Sequence, residues 1–377
     1  MKRMSWLFCF FILFLNVSYS QTIIQWKDTV IAGKHYTTPV KARKILKSNI
    51  FDNTGGSESS VFVPSPDEYV CGIQYRTLNT KPYFADTAIQ MALDNAIADG
   101  IKRVRLTSSI PDVTGYYIIL KGAVDIYGPE DTIKTGFRNY GGGEYYDAIC
   151  AITVKAINPL GNALQISNNG PYGRSSVIKI KADYVGSNIL HVCGTVYADV
   201  DLLDVGALET SGGTLYANVR RINAREGSYC AYCIMGTQYS ATQYIHCDTA
   251  TGNEPMDGPF RAALGGVQYL SIGVAVNVSP TGYVLASYDG GIQYVNGGRF
   301  IHNNASTAYG VAYVASGGVM QLQNCILINK TVTAPSVYSP DAQNVYILGT
   351  VVANTAVGSN ITQKVGTITV STDIPNP

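Results

Sequence analysis

Two stretches of this chain, "TVYADVDLLDV" from Thr195 and "TLYANVRRINA" from Thr214, align without a gap at an offset of 19 residues. Their Tyr, Ala and Val positions coincide, and Asp204 falls on Asn223. Followed along the chain, that last position gives Asp204, Asn223, Asp248, Asn277, Asn303, Asn329 and Asn354, in steps of 19, 25, 29, 26, 26 and 25 residues. A repeat of this kind constrains the fold strongly, because each unit must bury its apolar residues against neighbouring copies. The units are rich in Val, Ile and Tyr, are punctuated by Gly and Asn, and lack the 3.6-residue periodicity of helical repeats. They predict an all-β chain, a right-handed parallel β-helix of about 25 residues per coil. Asn suits the recurring turn because it tolerates the left-handed conformation and can hydrogen-bond to a copy of itself one coil away, about 4.8 Å distant. These Asx residues are read as structural and kept out of the candidate site.

One segment reads as helix. "ADTAIQMALDNAIADG", residues 85–100, sets Ala88, Ile89, Met91, Ala92, Ala96 and Ile97 on one broad face, with Asp86 as N-cap and Gly100 as stop. An amphipathic helix placed there would cover the open apolar end of the coils at 85–357. "YYIILKGAVDIYGPE" then reads as strand, Lys-Gly turn and strand. Residues 358–377 read as a final strand and tail. Residues 21–84, with the basic run "KARKILK" and the flexible "NTGGSESS", read as an irregular segment or attachment arm.

Lys2 and Arg3, the apolar stretch Trp6 to Leu15, and Ser18 and Ser20 before Gln21 have the order of a cleaved secretory signal peptide over residues 1–20. Losing its two positive charges takes the formal net charge from +1 to −1. The expectation is a secreted, periplasmic or cell-surface protein without stable membrane insertion. Only 14% of residues are charged, against roughly 25% in an average domain, which argues against nucleic acid as partner. Seven cysteines remain after cleavage, an odd number that reads mostly as buried thiols. Cys230 and Cys233 with His246 and Cys247 mimic a zinc spacing, but adjacent strand residues point to opposite faces. A Cys230–Cys233 or Cys233–Cys247 disulfide is the competing reading. No cofactor is expected, and calcium has no motif support.

"DTAIQMALDNAIADGIKRVRL" leading into "IILKGAVDIYGP" resembles the start of the pectate-lyase-like superfamily of right-handed β-helices. There an Asp-Thr-x-x-Ile-Gln helix precedes the first coils. The resemblance covers residues 85–130 by motif and 145–357 by coil pattern. It implies a polysaccharide lyase, a glycoside hydrolase, an epimerase, a phage tailspike or a member without chemistry. The Asn-Thr-Asp, Asp-Asp, Gly-His-Gly and Arg-Ile-Lys motifs of polygalacturonases are absent. So is the Trp-Ile-Asp-His signature of pectate lyases, and no catalytic residue carries over.

Three clusters remain as candidates. Asp199 and Asp201 fall over Asn218 and Arg220 of the next coil, as cross-strand ion pairs or as a ligand-binding group, on a face the sequence does not define. The long step after Asp248 contains "ATGNEPMDGPFRAALGG", in which Glu254 and Asp257 with Arg261 are the catalytic candidates, an acid and base on an excursion. "NYGGGEYYD" at 139–147 brings Glu144, Tyr145 and Tyr146, a composition suited to stacking on sugar rings. His246 and His302 read as core or groove residues. The expected function is binding, with or without cleavage, of an extracellular polysaccharide or cell-surface glycan. A non-catalytic glycan-binding or tailspike-like adhesin is the alternative, and monomer and trimer stand open.

Overall fold

The computed structural model describes residues 26–31, 34–39, 68–71, most of 90–106, 117–128, 132–224 except 171, 230–247, 259–278, 282–303, 310–330, 334–340, 344–355 and 362–371. The chain falls into two compact units, Met1–Pro66 and Asp67–Pro377. In the first, Trp26–Ile31 and Lys34–Pro39 pair antiparallel. That hairpin lies in a segment expected to be irregular.

The second unit is all-β. Its long strands Ile149–Ile157, Val177–Val185, Thr195–Asp204, Thr214–Ala224, Thr237–Cys247 and Val267–Asn277 follow one another, all parallel, in a sixteen-stranded sheet. After each of them the chain crosses to a ten-stranded parallel sheet, whose strands include Ile189–His191, Leu208–Thr210, Ala231–Ile234, Phe260–Ala263 and Leu285–Ser287. Glu68–Cys71 joins the larger sheet beside Arg103–Leu106, and Thr362–Val370 pairs with Val345–Ala353 at its other end.

Past Val267–Asn277 the larger sheet forks. The first half of that strand pairs with Ile292–Asn296 and the second with Arg299–His302, the two being separated by Gly297 and Gly298. Among the six long strands, equivalent positions recur from as little as 18 residues apart, Val177 to Thr195, to as much as 30, Thr237 to Val267.

All-parallel sheets are usually covered on both faces and read as continuous apolar runs. Here the long strands alternate. Val196, Ala198 and Val200 point inward, and Tyr197, Asp199 and Asp201 point to solvent. The inward faces of both sheets meet in one apolar core containing Ile152, Ile180, Val219, Leu164 and Leu208. Alternation holds as far as Val200, then breaks. Asp201 and Leu202 both turn outward before Leu203 turns in, and the next strands repeat this at Arg220–Arg221 and Gln243–Tyr244. Each long strand bends there, and the bend positions drop out of the ladder of paired residues.

The Asx series does not occupy one ladder. Asp204 pairs with Asn223, and the Asn223 amide reaches the Asp204 carboxylate at 3.3 Å. The next partner of Asn223 is His246, however, while Asn277 lies one position further along, between Cys247 and His302. Asp248 lies outside the described residues. Asn277 and Asn329 are not left-handed. Both are buried, and each donates its amide to the carbonyl five residues on, Gly282 and Ala334. Among the described residues the left-handed non-glycine positions are Val205, Met235, Leu264, Asp289, Ser316 and Asn324, the one asparagine being outside the series, and Leu264, Asp289 and Ser316 are each followed by a Gly-Gly pair.

A buried amide ladder does run through the core, made of glutamines within strands. Gln293 donates to Gln268 and Gln268 to Gln238, each at 2.8 Å, in the row where earlier strands place Ile178, Val196 and Leu215.

Candidate functional site

The outward face of the larger sheet carries a single file of rings. Tyr197, Tyr216, Tyr239, Tyr269 and Tyr294 lie in register on five adjacent strands. Their centroids are 5.0, 4.8, 4.7 and 4.8 Å apart and their planes within 13° of parallel. The strand spacing imposes this distance, which suits π-stacking, so a Tyr repeated once per strand stacks without adjustment. In such a file each ring face is covered by its neighbour. Solvent meets phenol edges and hydroxyls; Tyr197, Tyr239 and Tyr269 are 37, 36 and 38% exposed. Burial, and then the neighbouring phenol, raises the hydroxyl pKa of Tyr239 and Tyr269, so both stay neutral donors.

Two and four residues further along the same strands, the face becomes a groove of about 670 Å³ at the strand bend. Asp199 and Asp201, Asn218 and Arg220, Gln243 and Ser271 form its walls, and Gly273 and Gly297 leave it open. The Asn218 amide donates to the Asp199 carboxylate at 2.9 Å. Arg220 approaches Asp201 at 3.6 Å with both side chains more than half exposed, a pairing worth only a few tenths of a kcal/mol to about 1. The structure therefore brings Asp199, Asp201 and Arg220 together beside the tyrosine file and defines their face as outward.

The other candidates lie elsewhere. Glu254 and Asp257 are outside the described residues. Arg261 belongs to the strand Phe260–Ala263 of the ten-stranded sheet rather than to an excursion. Its guanidinium rests on Tyr232 and Tyr288 at 4.8 and 4.7 Å from the ring centres, a stacked structural setting. Glu144 and Tyr145 form a small hairpin with Tyr140–Gly141, turned by Gly142 and Gly143 at φ of 62° and 86°. Tyr140 and Tyr145 stack on each other at 5.3 Å, which covers a face of each ring. The Tyr146 hydroxyl donates to Glu144, and this bond, with burial, pushes its pKa up to about 12. The buried Asn139 ties down the base of the hairpin, its amide donating to the carbonyls of Tyr146 and Ser167.

Cys230, Cys233 and Cys247 are all buried free thiols, so neither of the two competing disulfides is present, and the Cys233 thiol faces the Gly236 carbonyl at 3.3 Å. Cys247 is buried while His246 turns outward, and among the described residues no three His, Cys, Asp or Glu side chains converge as metal ligands.

Sequence reasoning aligned Tyr197 with Tyr216 but followed the Asx position instead. The signal for the file was present as "TVY", "TLY", "TQY", "VQY" and "IQY" at 195, 214, 237, 267 and 292. The chain matches no family model, no curated protein and no solved structure, so its functional reading rests on this geometry.

Proposed function

We propose that this is an exported glycan-binding protein, and that the groove between the tyrosine file and the strand bend holds an extended, neutral polysaccharide. The observation that carries the reading is the groove itself: a continuous outward surface of carboxylate, amide and hydroxyl groups repeated once per strand. Hydroxyl-rich ligands are recognised by such dense, neutral-to-weakly charged donor and acceptor sets. The lining holds two carboxylates and one guanidinium, and that guanidinium is paired with Asp201. A chain of uronates would need free cations there, so neutral sugars fit better than the acidic ones handled by pectate lyases.

The scaffold reading that goes with this is a right-handed parallel β-helix of the pectate-lyase-like kind, whose walls are the two sheets. Its N-terminal end would be capped by the helix at 85–100. In support, Leu93 and Ala96 are buried in the core, and Gln90 bonds both backbone groups of Ile119, accepting at 2.7 Å and donating at 3.1 Å. That is the contact a cap makes with a strand edge.

Cleavage is a second reading, favoured by the placement of Asp199 and Asp201 two residues apart on one face. The strand rise puts them about 6 to 7 Å apart, within the range of paired glycosidase carboxylates. The test is a panel of neutral and uronate polysaccharides, read for binding and for new reducing ends or unsaturated products. Binding of neutral chains that weakens at least tenfold in Asp201→Ala supports the proposal. Failure of every glycan to bind overturns it, and products lost in Asp199→Asn would establish cleavage.

A further inference from the structure

Four of the buried thiols donate to backbone carbonyls: Cys150 to Gly122 at 3.4 Å, Cys193 to Gly173 at 3.1 Å, Cys233 to Gly236 at 3.3 Å and Cys325 to Gln323 at 3.2 Å. Cys230 also has a backbone hydrogen-bond partner, Ala224, but it shares a second contact with Cys247. Their side chains are hydrogen-bonded to each other, and both are fully enclosed in the same apolar core. Cys230 immediately precedes Ala231–Ile234 of the ten-stranded sheet, and Cys247 ends Thr237–Cys247 of the larger one, so the pair spans the two sheets. Cys233, only three residues away, is outside that core cluster.

We propose that Cys230 and Cys247 form a disulfide that staples the two sheets together. The reaction is thiol–disulfide exchange with a disulfide donor, either a small molecule such as oxidised glutathione or an oxidoreductase. Each cysteine gives up its S–H proton, one Sγ–Sγ bond forms, and the donor's disulfide is reduced to two thiols, taking the two electrons and the two protons. Hydrogen-bonded thiols are already neighbours, whereas distant cysteines could be bridged only by moving the backbone. A metal reading is weaker, since two thiols supply only half of a tetrahedral site and among the described residues no third ligand converges on them. Burial holds the Cys230 thiol well above its ordinary range, which slows exchange once the core has closed. The bond therefore forms while the chain folds and resists reductants afterwards.

The full chain is refolded in a glutathione redox buffer, quenched with N-ethylmaleimide under denaturing conditions and digested without reduction for mass spectrometry. The expected result is one linked peptide pair joining Cys230 to Cys247, with Cys150, Cys193, Cys233 and Cys325 alkylated. Alkylation of both Cys230 and Cys247, or linkage through Cys233, overturns the proposal. Oxidised protein should also melt about 5 °C above reduced protein, given a closed loop of about 17 residues. Cys247→Ala should abolish that difference. If the variant does not fold, the peptide map of the unaltered chain still decides the matter.

Discussion

Tyr239 shows what a single residue contributes to this surface. Its ring lies between Tyr216 and Tyr269, with centroids 4.8 and 4.7 Å away. Each stacked pair adds about 0.5 to 1.5 kcal/mol beyond area burial, so Tyr239→Ala should destabilise by about 1 to 3 kcal/mol in denaturant unfolding. Tyr239→Phe keeps the stack and removes only the outward hydroxyl. It should leave stability within about 0.5 kcal/mol of the original while weakening any ligand that reads the phenol edge. Asp201 gives the opposite balance. Its ion pair with Arg220 is solvent-exposed, so Asp201→Ala should change stability by less than about 1 kcal/mol, which makes it a clean probe of binding. Both residues were readable as types and spacings. Whether they faced water was not, because Asp201 and Leu202 turn outward in succession and the apolar alternation that would have assigned the face stops there.

At the scale of the element, the turns and the amide ladder carry the specificity. After Phe260–Ala263 and Leu285–Ser287 the chain turns through Leu264-Gly265-Gly266 and Asp289-Gly290-Gly291. A Cβ on Gly291 would lie 2.3 Å from the Ala262 carbonyl oxygen of the preceding strand. The clash is with backbone that is itself locked into the sheet, so Gly291→Ala should cost at least about 2 kcal/mol, measurable as a lowered denaturation midpoint. Within the strands, Gln268 both donates to Gln238 and accepts from Gln293. Gln268→Leu would strand two buried amides and should destabilise by about 2 to 4 kcal/mol despite adding apolar surface. A repeating strand-and-turn unit was visible in the sequence through the Thr195 and Thr214 alignment. Turn preference points to asparagine as the ladder residue. The ladder lies instead at glutamines inside strands, where parallel in-register pairing makes identical amides mutual partners.

For the molecule as a whole, the packing of the two sheets encloses groups that single strands would leave wet. His191 is fully buried, and neither ring nitrogen has a hydrogen-bond partner among the described residues. Burial lowers its pKa to about 4, with only weak opposition from the backbone near Cys193 and Gly194. The unfolded chain, with an ordinary value of 6.5, then takes up the proton first. Stability from this residue is complete above pH 6.5 and is lost as pH falls toward 4, by on the order of 3 kcal/mol. His302, also lowered by burial, acts in the same direction, and Glu209, raised by burial, acts against it. Subtracting the unfolding curve of His191→Gln from that of the unaltered protein isolates the effect, and a flat difference between pH 7 and 4 would remove His191 as its source. By itself the sequence determined that the chain is built from repeated β units with an apolar side, since period and composition depend only on the order of residues. Only the tertiary structure decided which rows coincide. Register between long strands whose equivalent positions recur 18 to 30 residues apart is set by packing, and that packing places Tyr197 through Tyr294 in one file and Cys230 against Cys247.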